Sequence, residues 1–343
     1  MSDRAYNVVV VGATGAVGTE VVKVLAERAF PIGELRLFAS QRSAGSSVEY
    51  GEREVDVELL DEEGFAGADL AFFCAGGEVS ATYAPLAAEA GAVVIDKSSV
   101  FRMDPDVPLV VPEVNAGDIA ERGRGIIASP NCTTIPMVVA LKPLMDEAGL
   151  ERLVASSYQA VSGAGKGGVD TLSKETVNIL NMRAPRTDED GPSVFPHRIA
   201  FNCIPQVDSF LADGSTKEEV KVIAESRRVL HHEELPVSVT CVRVPTFYGH
   251  GVALTIETTQ KLDAEDARQL LRGAPGVILA DGGEAMPYPT PADVGGTDAV
   301  FVGRVRNDPM VPCGLQLWVA ADNVRKGAAV NAVQIAEIVA RDL

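Results

Sequence analysis

The apolar run Asn7-Val8-Val9-Val10-Val11 passes directly into Gly12-Ala13-Thr14-Gly15-Ala16-Val17-Gly18, and from Val17 to Ala29 the chain reads as a helix. A strand that is apolar at nearly every position must be covered on both faces. A glycine turn leading from such a strand into a helix opens a parallel α/β sheet. The spacing G-x-x-G-x-x-G is a variant of the dinucleotide fingerprint, in which bare backbone approaches a pyrophosphate at a helix N-terminus.

The alternation continues to residue 130. Leu35 to Ala39, Leu70 to Cys74 and Val93 to Asp96 read as strands and Pro85 to Ala90 as helical, which predicts a Rossmann-like doubly wound parallel sheet. From about Leu153 the pattern changes. Leu153 to Gln159, Val237 to Val244 and Val252 to Thr259 alternate like half-buried strands, while Gly168 to Asn181 and Lys217 to Val229 read as helices. A second, α+β domain on a mostly antiparallel sheet is expected there. Arg183 to Pro192, with Asp188-Glu189-Asp190 at its centre, reads as a loop, and Val324 to Leu343 as an amphipathic helix.

The 343 residues suffice for two cores, and 30 Lys and Arg against 48 Asp and Glu leave a net charge of −18. Such a surface repels nucleic acid and anionic membranes, so neither is an expected partner, and an anionic small-molecule substrate needs Arg and Lys gathered locally. No apolar run reaches membrane-spanning length, and the first strand begins too early for a signal peptide, so a cytoplasmic location is expected. Cys74, Cys132, Cys203, Cys241 and Cys313 show no C-x-x-C spacing. His197, His231, His232 and His250 contain no i, i+4 pair. Neither a disulfide framework nor a metal site is expected.

Cys132 stands in Ser129-Pro130-Asn131-Cys132-Thr133-Thr134, between the strand-like Gly125 to Ala128 and a helix carrying Ile135, Val138, Val139 and Leu141. With Asn131 as N-cap, Cys132 falls in the first turn, where unpaired N–H groups favour a nucleophilic thiolate. Pro136 sits awkwardly in that frame and points to a later start or a kink. A free cysteine is equally a small buried hydrophobe, and the local sequence leaves both readings open. His250, in Arg243-Val244-Pro245-Thr246-Phe247-Tyr248-Gly249-His250-Gly251, is the leading acid–base partner, expected to take the thiol proton and later return one. After the second strand the chain offers Ser40-Gln41-Arg42-Ser43 in place of an acidic residue, which favours the 2′-phosphate of NADP.

The motifs GATGAVG, SSVFR, SPNCTT, SYQAVSGAGKGG, KEEVK, RVP…GH and ADNVRKGAAVNAVQIAE follow one another across essentially the whole chain. In that order they resemble the aspartate-semialdehyde dehydrogenase family. The resemblance implies Cys132 as acyl-thioester nucleophile, His250 as acid–base catalyst and Gln159 as the amide orienting substrate beside the sulfur. It implies Arg243 on the substrate α-carboxylate, Glu218 on its α-ammonium, and Arg102, Asn131 and Lys221 around the phosphate. NADP would lie against Thr14, Gly15, Ala16, Val17, Arg42, Ser43, Gly76, Ser162, Gly163 and Asn323.

The same resemblance implies a homodimer and a nucleotide domain of residues 1–131 and 323–343, closed by the C-terminal helix, with a catalytic and dimerisation domain of 132–322. The implied reaction converts L-aspartyl 4-phosphate to the semialdehyde that supplies lysine, diaminopimelate, methionine and threonine synthesis. Lys97 departs from the Asn common in the family before Ser98-Ser99, and His197 to Leu211 and Leu271 to Pro291 look atypical. A related acyl-phosphate reductase, such as N-acetyl-glutamyl-phosphate reductase, is the nearest rival; its substrate lacks the free ammonium that Glu218 would meet. A silent nucleotide-binding paralogue is the other, and it has no reason to keep both Cys132 and His250.

Overall fold

The computed structural model describes residues 4–186, 193–282 and 286–343. Asp188-Glu189-Asp190, the centre of the expected loop, lies outside the described residues. The chain divides into two compact units, Met1–Asn131 with Ala328–Leu343, and Cys132–Gly327.

The first unit holds a seven-stranded sheet. Its strands are β1 (Tyr6–Val11), β2 (Ile32–Ala39), β3 (Ser47–Tyr50), β4 (Arg53–Leu59), β5 (Leu70–Phe73), β6 (Val93–Asp96) and β7 (Ile126–Ala128), in the order β3-β4-β2-β1-β5-β6-β7. All pairs are parallel except the β3/β4 hairpin, which the apolar pattern does not reveal. Val8, Val10, Leu70 and Phe72 join a core with Val21, Val22 and Leu25 of α1 (Ala16–Glu27). Phe73 stacks on Phe65, which also meets Phe38 and Tyr83 of α2 (Gly77–Glu89). Both faces of the sheet are thus covered, as the near-continuous apolar strands require. The helix read at Pro85 to Ala90 begins much earlier, because Pro85 lies inside α2 rather than starting it. The short helix α3 (Pro112–Asn115) precedes β7.

The second unit carries a six-stranded sheet. It comprises β8 (Arg152–Gln159), β9 (Val237–Arg243), β10 (His250–Glu257), β11 (Val277–Leu279), β12 (Val300–Asn307) and β13 (Gly314–Ala321), in the order β11-β12-β13-β10-β8-β9. The three central pairings are antiparallel and the two edge pairings parallel. In β8, Leu153, Ala155, Ser157 and Gln159 are buried and alternate with more exposed residues, which is the signature of a sheet with one covered face. Helices α4 (Thr134–Ala148), α5 (Gly165–Leu180), α6 (Lys217–Val229) and α7 (Ala264–Gly273) complete the unit.

The C-terminal segment differs from the expected amphipathic helix. It forms a π-helical turn, Arg325–Ala329, followed by α8 (Val330–Asp342). From Val330 to Ala340 only Gln334, Glu337, Ile338 and Ala340 are part-exposed, because α8 packs against α1, α3 and β6 in the core of the first unit. The chain re-enters that unit at Ala328 rather than at Asn323. Asn323 bonds Ser162 and Gly249, and Asp322 bonds Gly296, all in the second unit. Among the described residues no helix is long and apolar enough to cross a membrane.

Ile335 is fully buried in the shared core of α1, β1 and α8. Ile335→Ala should therefore cost about 2–5 kcal/mol in urea unfolding, far more than a free-standing terminal helix would show.

Candidate active site

The nucleophile candidate sits just outside a helix. α4 begins at Thr134 with Thr133 as N-cap and no side-chain cap, so Asn131 is not the cap and Cys132 precedes the first turn. Pro136 explains the displacement. Capped at Asn131, the helix would ask residue 136 to donate an intrahelical hydrogen bond; starting at Thr134 places the proline where the N–H has no acceptor.

Three strands bring the other groups to one end of the second sheet. Parallel β8 and β9 pair Gln159 with Arg243, and antiparallel β10 pairs Gly251 with Tyr158, so His250 enters beside Gln159. Cys132 Sγ lies 3.4 Å from His250 Nε2, and the Ala160 backbone N–H donates to His250 Nδ1 at 3.0 Å. An amide hydrogen aimed at Nδ1 places the proton of the neutral ring on Nε2, facing the sulfur. The expectation that a neutral imidazole takes the thiol proton does not suit this geometry. The ring donates a hydrogen bond to sulfur instead.

Burial, and then the Arg243 guanidinium, push the His250 pKa down to about 3. Burial also lowers that of Arg243, against the opposing pull of Cys132 and Glu218. Arg243 Nη1 donates to the Ala160 carbonyl at 2.7 Å, so the two peptides flanking the Ala160 Cα hold one side chain each, His250 on the N–H side and Arg243 on the C=O side. A Cβ on Gly163 would come within 2.7 Å of the same Nη1, which is why the turn after β8 is bare there.

Gln159 Nε2 donates to Thr133 Oγ1 at 2.9 Å, Ser157 Oγ at 3.2 Å and Glu218 Oε1 at 3.4 Å. Because Glu218 only accepts, it fixes which end of the amide faces it. Glu218 and Lys221 share a face of α6, whose capping box, Thr216 with Glu219, follows the S/T-x-x-E pattern. Lys221 Nζ lies 2.7 Å from Asp208 Oδ2 and 3.4 Å from Glu218 Oε2. Burial pulls its pKa down, but the Asp208 hydrogen bond and the two carboxylate charges outweigh it and hold the ammonium above its ordinary value. Asp208 was not foreseen, and it lies in the segment that looked atypical.

Asn323 Nδ2 donates to Ser162 Oγ at 3.0 Å, while its Oδ1 accepts the Gly249 N–H at 3.0 Å. Both residues expected at the cofactor thus also brace the turn before His250. Burial pushes the thiols of buried Cys241 and half-buried Cys74 up to about 12, which disfavours the thiolate at either.

In the first unit, Arg102 donates to the carbonyls of Ser129 (3.0 Å) and Lys97 (2.8 Å) and steadies the segment leading to Asn131. Lys97 Nζ donates to Ser129 Oγ at 2.9 Å and to the Pro130 carbonyl at 3.2 Å. The glycine turn fits a dinucleotide. Gly12 has φ +81° and a Cβ there would lie 2.9 Å from Ala75 N, while one on Gly18 would lie 2.1 Å from the Gly12 carbonyl. Thr14, Gly15 and Ala16 are exposed and Val17 half-buried at the start of α1. Gly76 caps α2 after β5, on the other side of β1 from β2, at the topological switch point. Arg42 is exposed and Ser43 half-buried in the turn after β2. Among the described residues no three His, Cys, Asp or Glu side chains gather as a metal site.

Comparison with known proteins places this arrangement in a class. Residues 7–122 match the semialdehyde dehydrogenase NAD binding domain and residues 141–326 the semialdehyde dehydrogenase dimerisation domain. The chain belongs to the aspartate-semialdehyde dehydrogenase family: it is 50% identical to the enzyme of Aquifex aeolicus over 98% of both chains. It is also similar to the Vibrio cholerae aspartate semialdehyde dehydrogenase II solved in complex with ASA, at 50% identity, TM-score 0.95 and 99% coverage of both chains. A Candida albicans aspartate semialdehyde dehydrogenase solved with NADP is similar at 25% identity and TM-score 0.74, covering 98% of both chains.

The buried neutral imidazole makes stability depend on pH. An unfolded His250 protonates as pH falls through its ordinary 6.5, whereas the folded one resists to about 3. Its contribution is complete above the higher value and lost on acidification between the two, at up to about 1.4 kcal/mol per pH unit. Wild type should therefore lose more denaturant stability than His250→Gln between about pH 6.5 and about pH 4.5.

Proposed function

We propose that the protein catalyses the NADP-dependent reductive dephosphorylation of L-aspartyl 4-phosphate to L-aspartate 4-semialdehyde through an acyl-thioester on Cys132. The observation that carries this reading is Cys132 Sγ facing the Nε2 of a buried His250, beside Gln159. The thiolate attacks the acyl carbon, the carbon–sulfur bond forms, and phosphate leaves, taking its proton from solvent. The nicotinamide, when bound, supplies the hydride that reduces the thioester. The resulting alkoxide reforms its carbonyl as the carbon–sulfur bond breaks, which releases aldehyde and regenerates the thiolate.

His250 Nε2–H donates to sulfur in the resting state and can reach an oxygen on the attached carbon, stabilising each oxyanion without surrendering its proton. Arg243 takes the α-carboxylate, Glu218 the α-ammonium, and Lys221, Arg102 and Asn131 the phosphate. The free ammonium favoured by Glu218 separates this reading from an N-acetylated five-carbon acyl phosphate. Arg42 and Ser43, with no carboxylate beside them at the end of β2, support NADP over NAD. The dimerisation-domain match supports a homodimer, to be checked by mass at several concentrations.

Phosphate-dependent reduction of NADP by L-aspartate semialdehyde tests the reaction. Cys132→Ala should lower kcat by about 10³-fold or more while still binding NADP. Arg243→Lys should raise KM for the semialdehyde about 10- to 100-fold, the loss of a charge-assisted fork. Faster turnover of the acetylated five-carbon analogue, or of NAD over NADP, would overturn the corresponding assignment.

A further inference from the structure

We propose that Gly327 is a positioning residue for Cys132: the π-helical turn Arg325–Ala329 lays side-chain-free backbone against the nucleophile and sets where its sulfur stands relative to His250. This rests on the reading of Cys132 as nucleophile. A Cβ built on Gly327 would lie 3.1 Å from both the Cβ and the carbonyl oxygen of Cys132, and 3.3 Å from its Cα. These are the atoms that carry the sulfur, not the end of a flexible side chain. Gly327 is absent from the positive-φ residues, so its backbone conformation is open to alanine and only the close approach demands glycine.

The turn is anchored. The Gly327 N–H reaches back to the Asp322 carbonyl at 2.9 Å, the longer closure of a π-turn, which is rare and concentrates at functional sites. Asp322 Oδ1 accepts the N–H groups of Val324 (2.8 Å) and Arg325 (3.0 Å), and its Oδ2 accepts that of Gly296 at 2.8 Å. Arg325 is tied to Asp298 at 2.7 Å. Next to Asp322, Asn323 holds the N–H of Gly249, the neighbour of His250. One short segment therefore packs Gly327 against the backbone of Cys132 and ties Asn323 to the residue before His250.

A shift of about 1 Å in a reacting group can cost on the order of 10²-fold in rate, so about half an ångström corresponds to about tenfold. Gly327→Ala in the full chain should lower kcat about tenfold, with KM for NADP changed less than about twofold. The pH midpoint for alkylation of Cys132 by iodoacetamide, followed on the Cys132 peptide, should rise as the sulfur moves off the Nε2–H donor. Alkylation needs neither substrate nor cofactor, so it decides the matter even if wild type fails to turn over aspartate semialdehyde. An unchanged midpoint in folded Gly327→Ala, with or without a fall in melting temperature, overturns the proposal. Should that variant not fold, Asp322→Asn, which loosens the anchor without adding bulk, takes its place: a raised midpoint supports the proposal and an unmoved one overturns it.

Discussion

The hydrogen bond from the Ala160 amide to His250 Nδ1 is the contact on which the chemistry depends. A backbone N–H cannot deprotonate or rotate away, so it settles the tautomer of a buried ring. The Ala160 carbonyl simultaneously receives Arg243, so the two peptide groups that meet at the Ala160 Cα hold a neutral donor facing the sulfur and a cation beside it. Ala160 follows directly on β8, and the parallel pairing of β8 with β9 is what brings Arg243 alongside. The sheet is thus a positioning device: strand register decides distances that side-chain flexibility alone would leave loose.

Charge at the site is managed pair by pair against a chain of net charge −18. Lys221 sits between Asp208 and Glu218, and Glu218 also touches the Gln159 amide, so one carboxylate orders both a cation and a neutral amide. Arg243 is almost wholly buried, and its carbonyl partner partly offsets the cost of holding an ion away from water. That cost also explains why His250 stays uncharged. A second cation beside a buried Arg243 would be far less stable than a neutral ring.

Much of the fold was legible because its signals are local and redundant. The run Val8 to Val11 with the glycine turn specified β1, the switch point and α1. The helix read from Lys217 to Val229 coincides with α6, since a capping box and helical periodicity agree there. Errors arose where a residue's meaning depends on what surrounds it. Pro85 reads as a helix start yet lies inside α2, and Asn131 reads as a cap yet gives way to Thr133 because of Pro136. The C-terminal helix keeps an amphipathic pattern, but α1, α3 and β6 cover nearly all of it. The readings from sequence do not reach β11, β12 and β13, although Val300–Asn307 and Gly314–Ala321 carry apolar runs of strand type.

The sequence alone determined which chemistry is available: a thiol, an imidazole, an amide, a guanidinium, and a glycine turn of the kind that takes a dinucleotide. These are choices of functional group, and residue identity carries them. Only the tertiary structure decided the state of those groups. The proton on Nε2 of His250, the clasp of Asp208 on Lys221 and the approach of Gly327 to Cys132 all join residues distant in the chain. Backbone amides and carbonyls make several of these contacts. Every residue carries the same backbone groups, so no side-chain pattern can announce which of them a fold will press into service.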